Sequence, residues 1–163
     1  MSAEAQLVAG AVNAWNAHVK QIENLFAQFS DDHMSAHIAP GKNRMVYLLG
    51  HLVAVNDGML PLLGFGDRLH PQLERRYIAE ADKENGGSPS VAELRAHWTQ
   101  VHAALTTAFK SMAASDWLAK HTAVSDEDFA TQPHRNRFAI LLSRTNHLAY
   151  HLGQMMLAPK PVV

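Results

Sequence analysis

Histidine is the residue type most able to do chemistry in this sequence, at eleven of 163 positions. In NHLAYHLGQ, residues 146–154, His147 and His151 stand four positions apart. On a helix that spacing stacks two imidazoles on one face. A metal ion about 2.0–2.1 Å from each ring nitrogen bridges such a pair without distorting the backbone. Two ligands rarely suffice, so a third must come from elsewhere in the chain. Spacing alone carries little weight, because eleven randomly placed histidines give roughly 0.7 such pairs by chance. A second pair, His33 and His37, has the same spacing beside Asp31, Asp32 and Pro40. No helix is expected there, and these two read as solvated loop histidines.

Three features set His147 and His151 apart. They fall in the middle of a strongly periodic helical segment. A further histidine, His51, lies in LLGHLVAVNDGML, an apolar helical stretch in which a polar ring needs a partner. On a helical wheel all three lie roughly 80–120° from their seam leucines, Leu52 and Leu141, so they flank the core rather than fill it. That position suits a metal site wet enough to keep an open coordination place. It also suits histidines merely half exposed at a helix boundary.

Other site chemistries fail on residue type. The chain has no cysteine, which removes disulfides, thiolate-bound zinc, iron–sulfur clusters and a cysteine nucleophile. None of its seven glutamates is followed by histidine three positions on, as a di-iron bundle site requires, and HExxH is absent. A non-covalent haem held by histidines stays open. Most other polar candidates read as structural. His18, between Trp15 and Ile22, reads as a packing residue, as do Tyr150 and Trp98. His70, His97, His102, His121 and His134 read as surface or loop residues. Asn56 and Asp57 follow His51 by five and six positions and do not share its face. Gln154, three after His151, is placed to back the pocket.

The elements that must position these rings are helices. Leu7, Ala11, Trp15, Ile22, Phe26 and Phe29 give a helical period over Ala3–Phe29. The break SDDHMSAHIAPGKN follows. A second helix is expected over Asn43–Leu63, with Met45, Leu48, Leu52, Val55, Met59 and Leu63 as its stripe and Gly64 and Gly66 beyond its end. The connection from Phe65 to Pro89 is long, with a short helix around Leu73–Ala81 and the breaker run NGGSPS. Ser90 and Glu93 form a capping box that starts a third helix carrying Val91, Leu94, Trp98, Val101, Leu105 and Phe109. Ala114–Pro133 reads as loop with short turns. The fourth helix covers Asn136–Leu157, closed by Pro159 and Pro161. No strand-like alternation or repeat occurs, so the reading is all-α: one domain, residues 1–163, built as a four-helix bundle with a long middle crossover.

Bulk properties narrow the partners. A net charge of −1 offers nothing to nucleic acid or an anionic membrane. No run approaches the roughly 18 uninterrupted apolar residues of a membrane span. The first basic residue is Lys20, unlike a secretory signal, so a cytoplasmic location is expected.

HLAYHLGQMMLA resembles the C-terminal hallmark of the DinB-like family of damage-inducible helical proteins, His-x-x-x-His followed by Gly-Gln. The likeness extends through PGKNRMVYLLGHLVAVNDGMLPLLGFGDRLHP and SPSVAELRAHW. It implies that His51 joins His147 and His151 around one divalent metal ion, in a four-helix bundle that pairs as a homodimer. Zinc or nickel heads the list of metals, with iron, manganese and cobalt also compatible with imidazole ligands. One departure stands out: Leu148 occupies a position that is often acidic in relatives. Characterised relatives include thiol-dependent S-transferases and isomerases. The resemblance therefore implies a metal-dependent transferase or hydrolase-like enzyme acting on a small-molecule substrate, with a low-molecular-weight thiol as cosubstrate. The competing expectation is a non-catalytic metal- or ligand-binding bundle with a stress-related role. A purely structural bundle would instead keep the three imidazoles far apart.

Overall fold

The computed structural model describes residues 1–83 and 89–159. Residues 85–88 of the breaker run, and Pro161 as a helix terminator, lie outside the described residues. Among the described residues the architecture is all-helical, with two isolated β-bridges, His37 to Arg44 and Lys120 to Asn136.

Helix α1 runs over Ala3–Phe26, started by the Ser2 hydroxyl, which accepts from the Ala5 amide. It stops one turn short of Phe29, whose side chain is nonetheless buried. The break that follows holds a 3₁₀ turn, His33–Ser35.

The second expected helix is two helices, α2 (Met45–Asp57) and α3 (Met59–Leu63), broken at Gly58. Two causes coincide. Pro61 has no N–H for the Asp57 carbonyl four residues back. The Arg68 guanidinium also packs at Gly58 and donates to the Ala54 carbonyl at 2.7 Å, an oxygen that the Gly58 amide reaches only at 3.3 Å. A Cβ at Gly58 would lie 2.8 Å from that guanidinium. Gly64 ends α3 in the left-handed region, φ 84°. The Met45–Leu63 stretch is long and apolar enough to cross a membrane by length and composition alone, but it is the core element and most of it is buried.

The long connection returns onto α2 at regular intervals. Arg44 binds Asp82 through its backbone amide at 2.8 Å and its guanidinium at 2.5 Å. Tyr47 donates to the Glu80 carbonyl at 2.6 Å, and His51 to the Tyr77 carbonyl at 2.6 Å. The short helix expected near Leu73–Ala81 is a π-helical turn, Arg75–Ala79. Its Tyr77 ring lies so close over Gly50 that a Cβ there would collide with it.

Helix α4 (Val91–Ser111) begins with the Ser90/Glu93 capping box as expected: Ser90 Oγ accepts from the Glu93 amide at 3.2 Å, and Glu93 accepts from the Ser90 amide at 2.7 Å. The Ala114–Pro133 segment holds a 3₁₀ turn, Ala114–Leu118, and a short helix α5, Asp126–Thr131. Helix α6 (Arg137–Met155) starts at Asn136, which caps the Ala139 amide.

Side chains of α1, α2, α4 and α6 join one buried cluster. Trp15 meets Phe109 and Phe26 meets Trp98, so α1 and α4 run antiparallel. The His51 ring lies 5.0 Å from the rings of both His147 and His151, centroid to centroid, which sets α2 against α6. Burying the leucine and aromatic stripes supplies the main driving force, about 25 cal/mol per Å² of apolar surface removed from water.

Candidate metal centre

His51 projects from α2 and His147 and His151 from α6, and the three rings converge. The Nε2 atom of His147 lies 3.1 Å from Nε2 of His51 and 3.1 Å from Nε2 of His151. Ligand atoms of all three fall within 4.8 Å of one another. Nitrogens about 2.1 Å from a common ion sit roughly 3.0–3.4 Å apart in octahedral or tetrahedral arrangements, and both spacings to His147 fall in that range.

The opposite edges of the rings decide where the protons are. His51 Nδ1 faces the Tyr77 carbonyl at 2.6 Å, and a carbonyl can only accept. His151 Nδ1 faces Gln154 Oε1 at 2.8 Å. Both rings therefore carry their proton on Nδ1 and aim a bare Nε2 lone pair at His147. A neutral His147 has one proton and can satisfy only one of those two lone pairs. A cation at the point of convergence satisfies all three, and Nδ1 donation to carbonyl and amide oxygens is the usual support of metal-bound imidazole. His147 differs in that its Nδ1 is buried with no hydrogen-bond partner.

Electrostatics also favour lone pairs. Burial, then the charges of His151, His51 and Arg144, lowers the His147 pKa to about 4. Burial, then His51, lowers that of His151, although the Gln154 hydrogen bond acts in the opposite sense. Both rings stay neutral near pH 7. Tyr47 stacks nearly parallel to His51, with 6.3 Å between ring centroids.

Gln154 occupies the backing position expected of it. Leu148 faces the core and is fully buried. His33 and His37 are exposed, as expected for loop residues, and His18 is half buried and pairs with Gln21, outside the cluster. Asn56 and Asp57 point away from His51 and are fully buried. Asp57 caps the Leu69 and His70 amides at 2.8 Å each.

Other histidines correct the sequence reading. His102, expected at the surface, is buried between α2 and α4; its Nδ1 donates to the Trp98 carbonyl at 2.8 Å and its Nε2 meets Asn56 Nδ2 at 3.2 Å. It stands four after Trp98 and beside Val101 on the same apolar stripe, a signal the sequence already carried. His70 and His97 are half buried, their rings tilted by 30° with centroids 3.8 Å apart, and His121 is also half buried; His134 is exposed. Tyr150, read as a packing residue, is 63% exposed and makes a T-shaped contact with His151, with ring centroids 5.0 Å apart. Trp98 does pack in the core, against Phe26 and His102.

Two contributions to the neighbourhood had no local signal: the Tyr77 carbonyl, which arrives from the long connection, and the Arg68–Arg144 pair beside His147.

A comparison with curated proteins returned no match. A family model described as the DinB superfamily matches residues 8–155. With that match spanning nearly the whole chain, and with the three histidines drawn together, the protein belongs to the DinB superfamily.

Proposed function

We propose that this chain is a metal-dependent enzyme that binds one divalent ion through His51, His147 and His151 and acts on a small molecule with a low-molecular-weight thiol as cosubstrate. The observation that carries the proposal is the pair of bare Nε2 lone pairs, fixed by Tyr77 and Gln154, that meet at His147. Zinc or nickel is the favoured ion, since neutral imidazoles suit both. A three-histidine site leaves a coordination place at which a bound ion can hold a thiolate or lower the pKa of water.

The chain's own residues do the rest. The Tyr77 carbonyl and Gln154 fix ring orientation, which limits the reorganisation needed on binding. The lowered pKa of His147 keeps it a lone-pair donor at neutral pH. No cysteine of the protein competes for the open place. The scaffold belonging to this proposal is a four-helix bundle of α1, the α2–α3 pair, α4 and α6, with Phe65–Pro89 as its crossover. A homodimer and a cytoplasmic location complete it, and light scattering tests the first.

Elemental analysis of the purified protein is the direct experiment, followed by cobalt substitution and addition of a small thiol such as glutathione or cysteine. The expected result is one ion per chain and a thiol-induced change in the cobalt spectrum. Absence of stoichiometric metal after loading overturns the proposal, and a spectrum blind to every thiol removes the thiol-dependent part.

A further inference from the structure

Next to the histidines, a cavity of about 400 Å³ opens between the α2–α3 break and α6, with His147 in its wall. Val55, Pro61, Leu62 and Ile78 make it largely apolar. Its charged lining is Arg68, Arg144 and Glu74.

The two arginines are held differently. Arg68 is anchored by the Ala54 carbonyl at 2.7 Å and pairs with Glu74 at 3.4 Å, on a glutamate that is half exposed. Arg144 stands one turn before His147 on α6. Among the described residues its side chain makes no hydrogen bond or ion pair, and its Nε is buried without a partner. Burial, then the charge of Arg68, presses its pKa below the ordinary arginine value. A guanidinium nevertheless keeps its proton, so the cavity holds an uncompensated, partly desolvated cation.

Such an arrangement is costly unless an anion completes it. The formal charge of the three side chains is +2 − 1 = +1, which calls for one negative charge. The guanidinium fork matches a carboxylate bidentately. The apolar wall suits the carbon skeleton behind that group, as in most small-molecule sites.

We propose that this cavity seats the carboxylate of a small, largely apolar organic acid between Arg68 and Arg144, next to His147. Its role as the substrate subsite rests on the metal-dependent function proposed above, whereas the binding itself does not. The carboxylate end is held by the arginines, and the rest of the molecule lies along Val55 and Leu62 within reach of the histidine cluster. A planar monoanion is preferred over an alcohol of the same length because only the anion relieves Arg144.

Ligand-observed NMR on the zinc-loaded full chain, with hexanoate and 1-hexanol as paired probes, tests this. Hexanoate is expected to bind about tenfold more tightly than 1-hexanol, and Arg144→Gln to weaken hexanoate by about tenfold without changing 1-hexanol. Arg144→Lys, which keeps the charge but loses the fork, should bind hexanoate more weakly than the wild type and more tightly than Arg144→Gln. Because the substitution removes an unpaired charge, Arg144→Gln should unfold at no lower temperature than the wild type, which excludes misfolding as the cause of lost binding. Stripping the metal with a chelator should leave hexanoate binding in place. Equal binding of the two probes, or an Arg144→Gln protein that binds hexanoate normally, overturns the proposal. So does loss of hexanoate on metal removal, which would put the carboxylate on the ion. A chain that takes up no metal but keeps Arg144-dependent binding upholds the cavity and overturns only the function proposed for its neighbour.

Discussion

The Nε2 atoms of His51 and His147 lie 3.1 Å apart across two helices, 96 positions apart in sequence. Two neutral acceptor nitrogens gain nothing from such proximity unless a proton or a cation lies between them. His151 presents a third nitrogen to the same point, and one proton cannot serve all three. Truncating a ligand should therefore cost more than disturbing its support. His147→Ala is expected to lose metal affinity by more than the roughly 10–100-fold typical of an outer hydrogen-bond partner. Competition against a chromogenic chelator measures it, and unchanged affinity would remove His147 from the site.

Gln154 tests the supporting layer. Gln154→Leu leaves every ligand in place but removes the acceptor that fixes the His151 tautomer. Metal affinity should fall about 10–100-fold, while Gln154→Glu, which keeps an acceptor, should stay close to wild type. Equal affinities for the leucine and glutamate variants would show that this contact does not orient the ring.

Gly50 is a packing test of the long connection. The buried Tyr77 ring occupies the space a Cβ would need. Gly50→Ala is expected to cost about 1–3 kcal/mol in urea unfolding, the range for overpacking a filled interior. Because Tyr77 also supplies the carbonyl for His51, the variant should bind metal more weakly as well. A stability change within about 0.5 kcal/mol of wild type would mean that the ring moves aside freely.

The pH dependence of stability follows from His102. Burial lowers its pKa to about 4 in the folded protein, against an ordinary value of 6.5. The unfolded chain therefore binds the proton more readily, and stability falls as pH drops from about 6.5 toward 4. Between pH 7 and pH 5 the loss from this one group is about 2 kcal/mol. His147 and His151 shift in the same direction and add to it. Urea midpoints for the wild type and His102→Gln should converge as pH falls, since the glutamine does not titrate. Parallel curves would assign the acid sensitivity to other groups.

Much of this protein is written locally. Helix periodicity, the Ser90/Glu93 capping box, the glycine that ends α3 and the stacking of His147 over His151 all depend on residues within about four positions of one another. Within one turn, backbone geometry alone fixes which side chains meet, so sequence spacing reports it directly. The same reasoning could have placed His102 in the core, four residues after Trp98.

What spacing could not report is where the chain comes back. The Tyr77 carbonyl reaches His51 from 26 positions away, and Arg68 both breaks the second helix at Gly58 and faces Arg144 across a cavity. His51 itself meets the histidine pair only because α2 packs against α6. These contacts depend on the register of helices joined by long connections, and a shift of one residue along a helix turns a side chain by about 100°. That register is set by the burial of the whole core at once. The histidines and the spacing of one pair were therefore readable from the sequence, while the supporting carbonyl and the unpaired arginine beside them came from tertiary packing.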